Sequence, residues 1–177
     1  MSASPDPASV PPTGSPAFPT AVPTLVPCVW SATEAEAAAE FYVSVFPGSS
    51  ITSVSRWPDG PQAGMALTVE FTLAGRPWVA LNGGTGMTPS PAVSFQVPCA
   101  DQDEVDHYWW ALTADGGRPG RCGWLEDRFG VSWQIVPTRL PELLGDPGRA
   151  ARALEAMMPM SRLVIAELEA AADAQPG

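Results

Sequence analysis

Hydrophobic and polar positions alternate most regularly between Met65 and Leu73. The odd-numbered positions are apolar, whereas the even-numbered positions hold Ala, Thr, Glu and Thr. Successive strand residues point to opposite faces of a sheet, so this pattern predicts a strand with one buried face. The tetrapeptide Ala-Gly-Arg-Pro at 74–77 predicts a turn into a second strand at 78–82.

Two segments have the spacing of apolar residues that is typical of amphipathic helices. The first runs from Thr33 to Val45, with Thr33 as its expected N-cap. The second spans 101–114. The inward side chains expected in the first helix are Ala37, Phe41 and Val45, and those expected in the second are Val105, Tyr108, Trp109 and Leu112.

The order of strand, helix and further strands occurs twice, which indicates an internal structural repeat. We place the two repeats at 24–84 and 91–138, and we interpret 24–138 as one domain. The second repeat ends in a predicted hairpin at 122–137, whose turn is Asp-Arg-Phe-Gly. The segment that follows, 139–173, is predicted to form a helical extension because its apolar residues have helical spacing.

Composition and charge narrow the possible partners. The chain has a net charge of −10 and a sequence pI near 4.3, which argues against nucleic acid and anionic membranes because both repel an acidic surface. Residues 1–23 contain seven prolines and one charged residue, and we predict a disordered tail because this segment buries too little apolar surface.

Cys28, Cys99 and Cys122 form no Cys-x-x-Cys pair, which favours reduced thiols in a cytoplasmic protein.

Several short segments resemble those of the glyoxalase/bleomycin-resistance (vicinal oxygen chelate) superfamily, in particular its PhnB-like or 3-demethylubiquinone-9 3-methyltransferase-like branch. The resemblance covers about residues 24–170. It implies an α+β fold in which two βαβββ units form a cupped mixed sheet, with helices on the convex side and a cavity on the concave side. The matching segments are Glu40–Tyr42, Phe46–Ser49, Leu67–Leu73, Ala80–Gly84, Val93–Pro98, Asp106–Trp109 and Cys122–Pro137.

Strand alternation predicts which residues face the cavity of such a cup. The apolar set Val93, Phe95 and Val97 is expected to pack against the helices, as is Trp133. Core packing is the usual role of a tryptophan. Trp78 and Trp124 are the tryptophans that we expect as aromatic cavity walls, where they would stack on a planar ligand. The residues expected to face the cup are Thr68, Glu70, Thr72, Trp78, Ala80, Asn82, Ala92, Ser94, Gln96, Trp124, Ser132 and Gln134.

The resemblance also identifies four positions at which metal-dependent members of the superfamily bind an ion. In this sequence they fall near Pro27, Ala80, Ala92 and Gln134. Divalent metals prefer imidazole or carboxylate ligands, and three of these four residues offer no side-chain ligand, so we expect no metal ion. We also expect no cofactor, because no glycine-rich loop between a strand and a helix is present to hold S-adenosylmethionine.

Glu70 is the carboxylate that alternation puts on the concave face of a central strand. Two roles stay open for it: proton transfer or binding of a cationic ligand group, and a structural role near the strand end, either paired with an arginine or reaching water. The neutral polar residues of the cup pose the same choice, because they can bind a ligand or hydrogen-bond one another.

We therefore predict a protein that binds a small organic molecule in a metal-free cup. We also expect a homodimer, because members of the superfamily commonly pair and the C-terminal helices have apolar faces. Two alternatives stay open: a metal-independent isomerase or lyase with Glu70 as its acid or base, and a non-catalytic drug-sequestering protein whose acidic surface favours cationic ligands.

Overall fold

Each repeat forms its own four-stranded sheet in the computed structural model, which describes residues 25–174. The predicted tail at 1–23 lies outside the described residues. In the first unit, the strand order is β1-β4-β3-β2, and β1 runs parallel to β4 while the other pairs are antiparallel. Its elements are β1 (Cys28–Ser31), α1 (Ala35–Val45), β2 (Ser50–Arg56), β3 (Ala66–Leu73) and β4 (Arg76–Asn82).

The second unit repeats this topology with the order β5-β8-β7-β6 and a parallel β5–β8 pair. The predicted α+β fold of two βαβββ units is therefore confirmed. Hydrogen-bonded ladders join the strands within each sheet of the described chain but do not join the two sheets. The elements of this unit are β5 (Ser94–Cys99), α2 (Gln102–Thr113), a 3₁₀ turn (Ala114–Gly116), β6 (Arg118–Pro119), β7 (Trp124–Glu126) and β8 (Ser132–Pro137).

The alternation predicted for β3 holds from Val69 onward. Val69, Phe71 and Leu73 are buried, whereas Glu70 is exposed. At the start of the strand the prediction is wrong, because Ala66 is buried and the side chain at position 65 is exposed. The ladder between β2 and β3 shifts register beside Ala66, so the regular alternation begins inside the strand.

Helix α1 begins two residues later than the sequence predicted. The N–H of Ala35 donates to Asn82 Oδ1 at 2.8 Å, and the N–H of Glu34 donates to Ser31 Oγ at 2.8 Å. These acceptors from neighbouring strands replace the expected cap at Thr33 and fix the rotation of the helix. The predicted inward stripe is therefore partly wrong: Val45 is buried, Phe41 is half-buried and Ala37 is exposed, whereas the buried face holds Ala35, Ala38, Ala39, Tyr42 and Val45.

Helix α2 matches its predicted face closely. Val105, Trp109 and Leu112 are buried, and Tyr108 is half-buried. The N–H of Glu104 donates to Asp101 Oδ1 at 2.9 Å, and the side chain of Glu104 accepts from the N–H of the residue before Asp101 at 2.7 Å. This pair differs from a capping box only in that Glu104 accepts from the residue before the N-cap, and it satisfies backbone donors at the start of the helix.

An aromatic core joins the two units. Trp133 of β8 lies 5.6 Å from the ring of Tyr42 and 5.3 Å from that of Phe46, both contributed by α1 and its C-terminal end. Trp78 of β4 is stacked on Trp133 with ring centroids 6.2 Å apart. The two sheets therefore turn their apolar faces toward each other, and we call the opposite face of each sheet its outer face.

Three helices follow the second unit and pack around a smaller core of their own. They attach to the hairpin through backbone hydrogen bonds, from Cys122 N to Met160 O at 2.7 Å and from Gly123 N to Ser161 O at 2.8 Å. No helix in the described part of the chain is long and apolar enough to cross a bilayer. The three helices are α3 (Leu140–Gly145), α4 (Pro147–Met157) and α5 (Ile165–Asp173).

Candidate ligand-binding site between the two units

Thr68 and Glu70 lie on the outer face of the first sheet. Their neighbours on β2 are Ser55 and Ser53. Glu70 is exposed and forms no ion pair with the described residues. Neither residue lines any of the cavities described below. The structure therefore does not bring them together with the other predicted site residues.

Trp78 and Asn82 lie on the opposite side of the same sheet, so the expectation that they share one cup-facing side with Thr68 and Glu70 is wrong. In the β3–β4 ladder Phe71 is directly opposite Trp78, which sends both rings into the aromatic core. Asn82 is also buried, where Nδ2 donates to Ala66 O at 2.8 Å and Oδ1 caps α1. The amide of Asn82 is thus committed to joining β3, β4 and the helix.

Five predicted site residues share the outer face of the second sheet. Gln96 and Trp124 lie on either side of Gln134, and Ser94 lies opposite Ser132. The side-chain amide of Gln134 donates to Ser94 Oγ at 2.8 Å. These groups therefore hydrogen-bond one another in part, and their role in binding a ligand stays a prediction.

The apolar residues expected on the inner side of β5 divide into two groups. Val97 is buried, as expected of an inner-face residue. Phe95 is half-buried and packs against Trp78 and Trp133, where packing on a helix was expected. Val93 is 67% exposed, which contradicts the expectation that it packs on a helix. Because β5 begins at Ser94, Val93 belongs to the preceding loop.

The four positions equivalent to metal ligands do not converge on one point. Ala80 is buried on the inner face of its sheet, whereas Gln134 lies on the outer face of the other. Among residues 25–174, no three His, Cys, Asp or Glu side chains are grouped closely enough to share a metal ion. Pro27, Ala80 and Ala92 also have no side-chain atom that can bind a metal. The residues at these four positions therefore do not fit a divalent metal ion.

A cavity of about 510 Å³ opens between the two units, and we call it the central cavity. Ligand sites of small organic molecules are commonly concave, mostly apolar and of this size. Its polar contributions come from Arg76 at the start of β4 and from Ser94 and Gln96 on β5. Its aromatic walls are Phe46, Trp78, Phe95, Tyr108 and Trp133.

Strand β5 borders the central cavity as an edge strand of its sheet. Cys99 O accepts from Thr138 N at 2.8 Å, so the backbone groups of Cys99 point toward β8. Alternate residues of a strand direct their backbone groups to opposite neighbours, which turns those of Ser94 and Gln96 toward the free edge. Pro98, which has no N–H, follows them on this edge. The cavity wall therefore offers backbone donors and acceptors to a ligand.

The electrostatics of the central cavity differ from those of the protein as a whole. Arg76 is the charged residue among those that line it, and the described residues give it no ion-pair partner. Burial, followed by the charge of Glu104, raises the pKa of Tyr108, which keeps its phenol neutral and able to donate. Among residues 25–174, no Asp, Glu, His, Cys or Lys lines the cavity. The arrangement suits an anionic or carbonyl group on an aromatic body.

A buried carboxylate that the sequence analysis missed fixes the position of Trp133. Asp127 Oδ2 accepts from Tyr42 Oη at 2.8 Å and from Trp133 Nε1 at 2.8 Å. Its Oδ1 accepts from the N–H groups of Phe129 at 2.8 Å and Val131 at 3.1 Å. Burial raises the pKa of Asp127, and these four hydrogen bonds oppose that rise.

Asp127 therefore joins α1 of the first unit to the closing hairpin of the second. The sequence signal was present in the Asp-Arg-Phe-Gly turn, since an Asp that begins a turn commonly accepts from backbone N–H groups two residues further on. That signal predicts the bond from Phe129. The bonds from Tyr42 and Trp133 depend on how the two units pack, which the turn sequence does not contain.

Comparison with known families and structures agrees with this architecture. The family model described as 3-demethylubiquinone-9 3-methyltransferase matches residues 23–136. A PhnB protein from Bacillus cereus is 30% identical, with a TM-score of 0.60, over 64% of this chain and 98% of that one. Protein PA1353 from Pseudomonas aeruginosa shares the fold at 16% identity, with a TM-score of 0.55, over 66% of this chain and 98% of the other.

A glyoxalase/bleomycin resistance protein from Albidiferax ferrireducens also matches, at 13% identity and a TM-score of 0.42, over 62% of this chain and 93% of the other. No curated protein matches the chain significantly. The chain therefore belongs to the family described as 3-demethylubiquinone-9 3-methyltransferase, and it is similar to the PhnB protein of Bacillus cereus.

Proposed function

We propose that this protein binds a small organic molecule in the central cavity without the help of a metal ion. The observation that carries the proposal is the aromatic lining of that cavity together with Arg76, to which the described residues give no ion-pair partner. Aromatic walls favour a planar apolar body, and a guanidinium favours a carboxylate or a similar oxygen-rich group. The proposed ligand is therefore a planar organic acid.

Binding is better supported than turnover. A general base must lie within hydrogen-bond reach of the proton that it removes, and the described part of the chain contributes no Asp, Glu or His to the central cavity. Glu70, the base of the isomerase or lyase alternative, lies on the outer face of the first sheet and is exposed. We therefore propose no catalytic role for Glu70.

The charge at the cavity also modifies the drug-sequestering alternative. The net charge of −10 favours cationic ligands at long range. The short-range partner at the edge of the central cavity, however, is the exposed cation Arg76. Because Coulomb interactions strengthen at short distance, we expect the local charge to decide selectivity.

A titration with 2-naphthoate and its neutral analogue 2-naphthamide tests this proposal. Trp78 and Trp133 line the cavity, so a planar ligand bound there quenches tryptophan fluorescence. We expect saturable quenching by 2-naphthoate, weaker binding of 2-naphthamide, and no change on adding EDTA. The Arg76→Gln variant is expected to weaken 2-naphthoate binding by about tenfold while leaving 2-naphthamide unchanged.

The matched control is Arg121→Gln, which removes the same charge from an exposed arginine that does not line the cavity. It is expected to bind both compounds as the wild type does. Equal losses in the two arginine variants would assign the effect to net charge rather than to the cavity. Absence of quenching by either compound in the wild type would contradict the proposed function.

We also propose a homodimer. The C-terminal helices turn most of their apolar side chains into their own core. Two apolar side chains of this region stay exposed, however: Leu154 of α4 is 41% exposed, and Met158, at the C-terminal end of that helix, is 56% exposed. They lie one helical turn apart. Adjacent exposed apolar side chains are uncommon on monomeric proteins and often mark an interaction site. This pair therefore supports a surface through which two copies of the chain associate. Light scattering after size exclusion tests the proposal, and Leu154→Glu should shift a dimer toward the monomer mass.

A further inference from the structure

A second cavity lies beside the first, and Phe95 borders both. This side cavity has a volume of about 280 Å³ and lies between β1, the loop that precedes β5, and β8. Phe95 is the described residue that the two linings share. Its ring therefore stands between the two spaces.

The ring of Phe95 is fixed on one side by the aromatic core. Its centroid lies 4.4 Å from that of Trp78 at an interplanar angle of 61°, and 5.5 Å from that of Trp133. Edge-to-face contacts of this kind favour one ring orientation. Both tryptophans are buried, whereas Phe95 is half-buried on an edge strand.

The side cavity has a different chemical character from the central cavity. It is lined by apolar side chains that include Val29, Trp30, Met87 and Val131, and none of the described residues that border it is charged. It suits an alkyl chain, whereas the central cavity suits a planar acid. The two spaces in succession therefore match a ligand with an acidic planar head and an apolar tail.

We propose that Phe95 is a specificity-determining residue that limits the length of the ligand. This inference rests on the proposed binding function of the central cavity. The Phe95 ring closes the far end of the central cavity, so that ligands end there. Removal of the ring joins the two cavities into one channel and admits a ligand with a tail.

Two probes of different length test the role of Phe95: 2-naphthoate and 6-hexyl-2-naphthoate. In the wild type we expect 2-naphthoate to bind more tightly than the hexyl derivative. In Phe95→Ala the preference is expected to shift toward the hexyl derivative by about tenfold or more, because the chain gains an apolar space to enter. The matched control is Phe46→Ala, which enlarges the central cavity but does not border the side cavity.

A second measurement uses the intact side chain of Phe95 and so does not depend on the folding of a core variant. Cys28 lines the side cavity and is exposed. In a Cys122→Ser background, alkylation of Cys28 with N-ethylmaleimide, followed by mass spectrometry, introduces a bulky group there. Because Phe95 separates the cavities, 2-naphthoate affinity is expected to change by less than about twofold.

The outcomes distinguish the inference from the function on which it rests. If the wild type fails to bind 2-naphthoate, the proposed function is contradicted. If the wild type binds it, an unchanged length preference in Phe95→Ala, or an equal shift in Phe46→Ala, overturns the role of Phe95. A large loss of 2-naphthoate affinity after Cys28 alkylation overturns it as well, since it would mean that the two cavities are already continuous.

Discussion

At the scale of single residues, Asp127 has the greatest structural consequence. Its carboxylate accepts four hydrogen bonds and is 2% exposed. Two of the donors, Tyr42 and Trp133, come from different units. Buried polar groups of this kind are costly when a partner is lost, because the remaining groups are left without water or protein to bond.

The Asp127→Asn substitution is expected to lower the free energy of unfolding by about 2–4 kcal/mol. Asparagine has one acceptor oxygen, whereas the carboxylate has two. Its N–H₂ group would therefore face two of the four hydrogen-bond donors, which would be left without an acceptor. Glu126→Gln is the matched control, because Glu126 belongs to an exposed ion pair with Arg118, and such pairs contribute about 0–1 kcal/mol. Urea unfolding measures both variants, and equal stabilities would contradict the role of Asp127.

The three cysteines are expected to react with a thiol reagent at very different rates. Burial, aided by the charges of Glu104 and Asp101, raises the pKa of Cys99 to about 12. A raised pKa lowers the thiolate fraction at any given pH, and the thiolate is the reactive form. Cys28 is exposed, so we expect it to react first at pH 8, even though burial also raises its pKa.

Ellman's reagent measures this order, with Cys28→Ser as the variant that should lose the fast phase. Cys99 is expected to react only after unfolding in guanidinium. A fast phase that survives in Cys28→Ser would show that a different thiol is accessible.

At the scale of secondary-structure elements, the β3–β4 hairpin explains why the site was only partly predictable. The two-residue turn Ala74-Gly75 places Leu73 opposite Arg76, and hence Phe71 opposite Trp78. Cross-strand partners share a face. Treating each strand separately assigned Trp78 and Glu70 to one face, whereas the turn length, which is visible in the sequence, assigns them to opposite faces.

The same turn gives a prediction about stability. Ala74 has a φ of 48° and Gly75 a φ of 75°, the left-handed pair required by a tight hairpin turn. Alanine is strained there, whereas asparagine tolerates the conformation without the added chain entropy of glycine. Ala74→Asn is expected to raise the free energy of unfolding by about 0.5–1 kcal/mol, and Ala74→Val to lower it. Thermal unfolding measures both, and a loss of stability in Ala74→Asn would contradict this assignment.

At the scale of the whole molecule, the fold followed from pattern and resemblance, but the central cavity did not. The βαβββ order could be predicted because periods of two and 3.6 are local properties of the sequence. The cavity lies between units, where Arg76, Phe95 and Tyr108 meet through contacts distant in the sequence. Strand alternation identified Ser94 and Gln96, which line the cavity, together with residues that lie far from it on the outer faces, such as Glu70. It cannot tell which face of a sheet receives the other sheet.

Metal content gives a further prediction at this scale. The purified, tag-free protein is expected to contain well below one equivalent of zinc, nickel, iron or manganese, because the four family positions supply no set of donors. Elemental analysis measures this directly. One tightly bound equivalent per chain, retained through EDTA dialysis, would contradict the proposed metal-independent site.

The most direct test of the account is the position of a bound planar acid in a crystal. We propose to soak or co-crystallise the protein with 6-bromo-2-naphthoate and to locate the bromine by anomalous scattering. The account predicts one peak per chain inside the central cavity, with the naphthalene ring against Trp133 and Phe95 and the carboxylate at Arg76. A peak on an outer face, beside Glu70 or Gln134, would contradict it, as would an empty cavity at a concentration that saturates the fluorescence change.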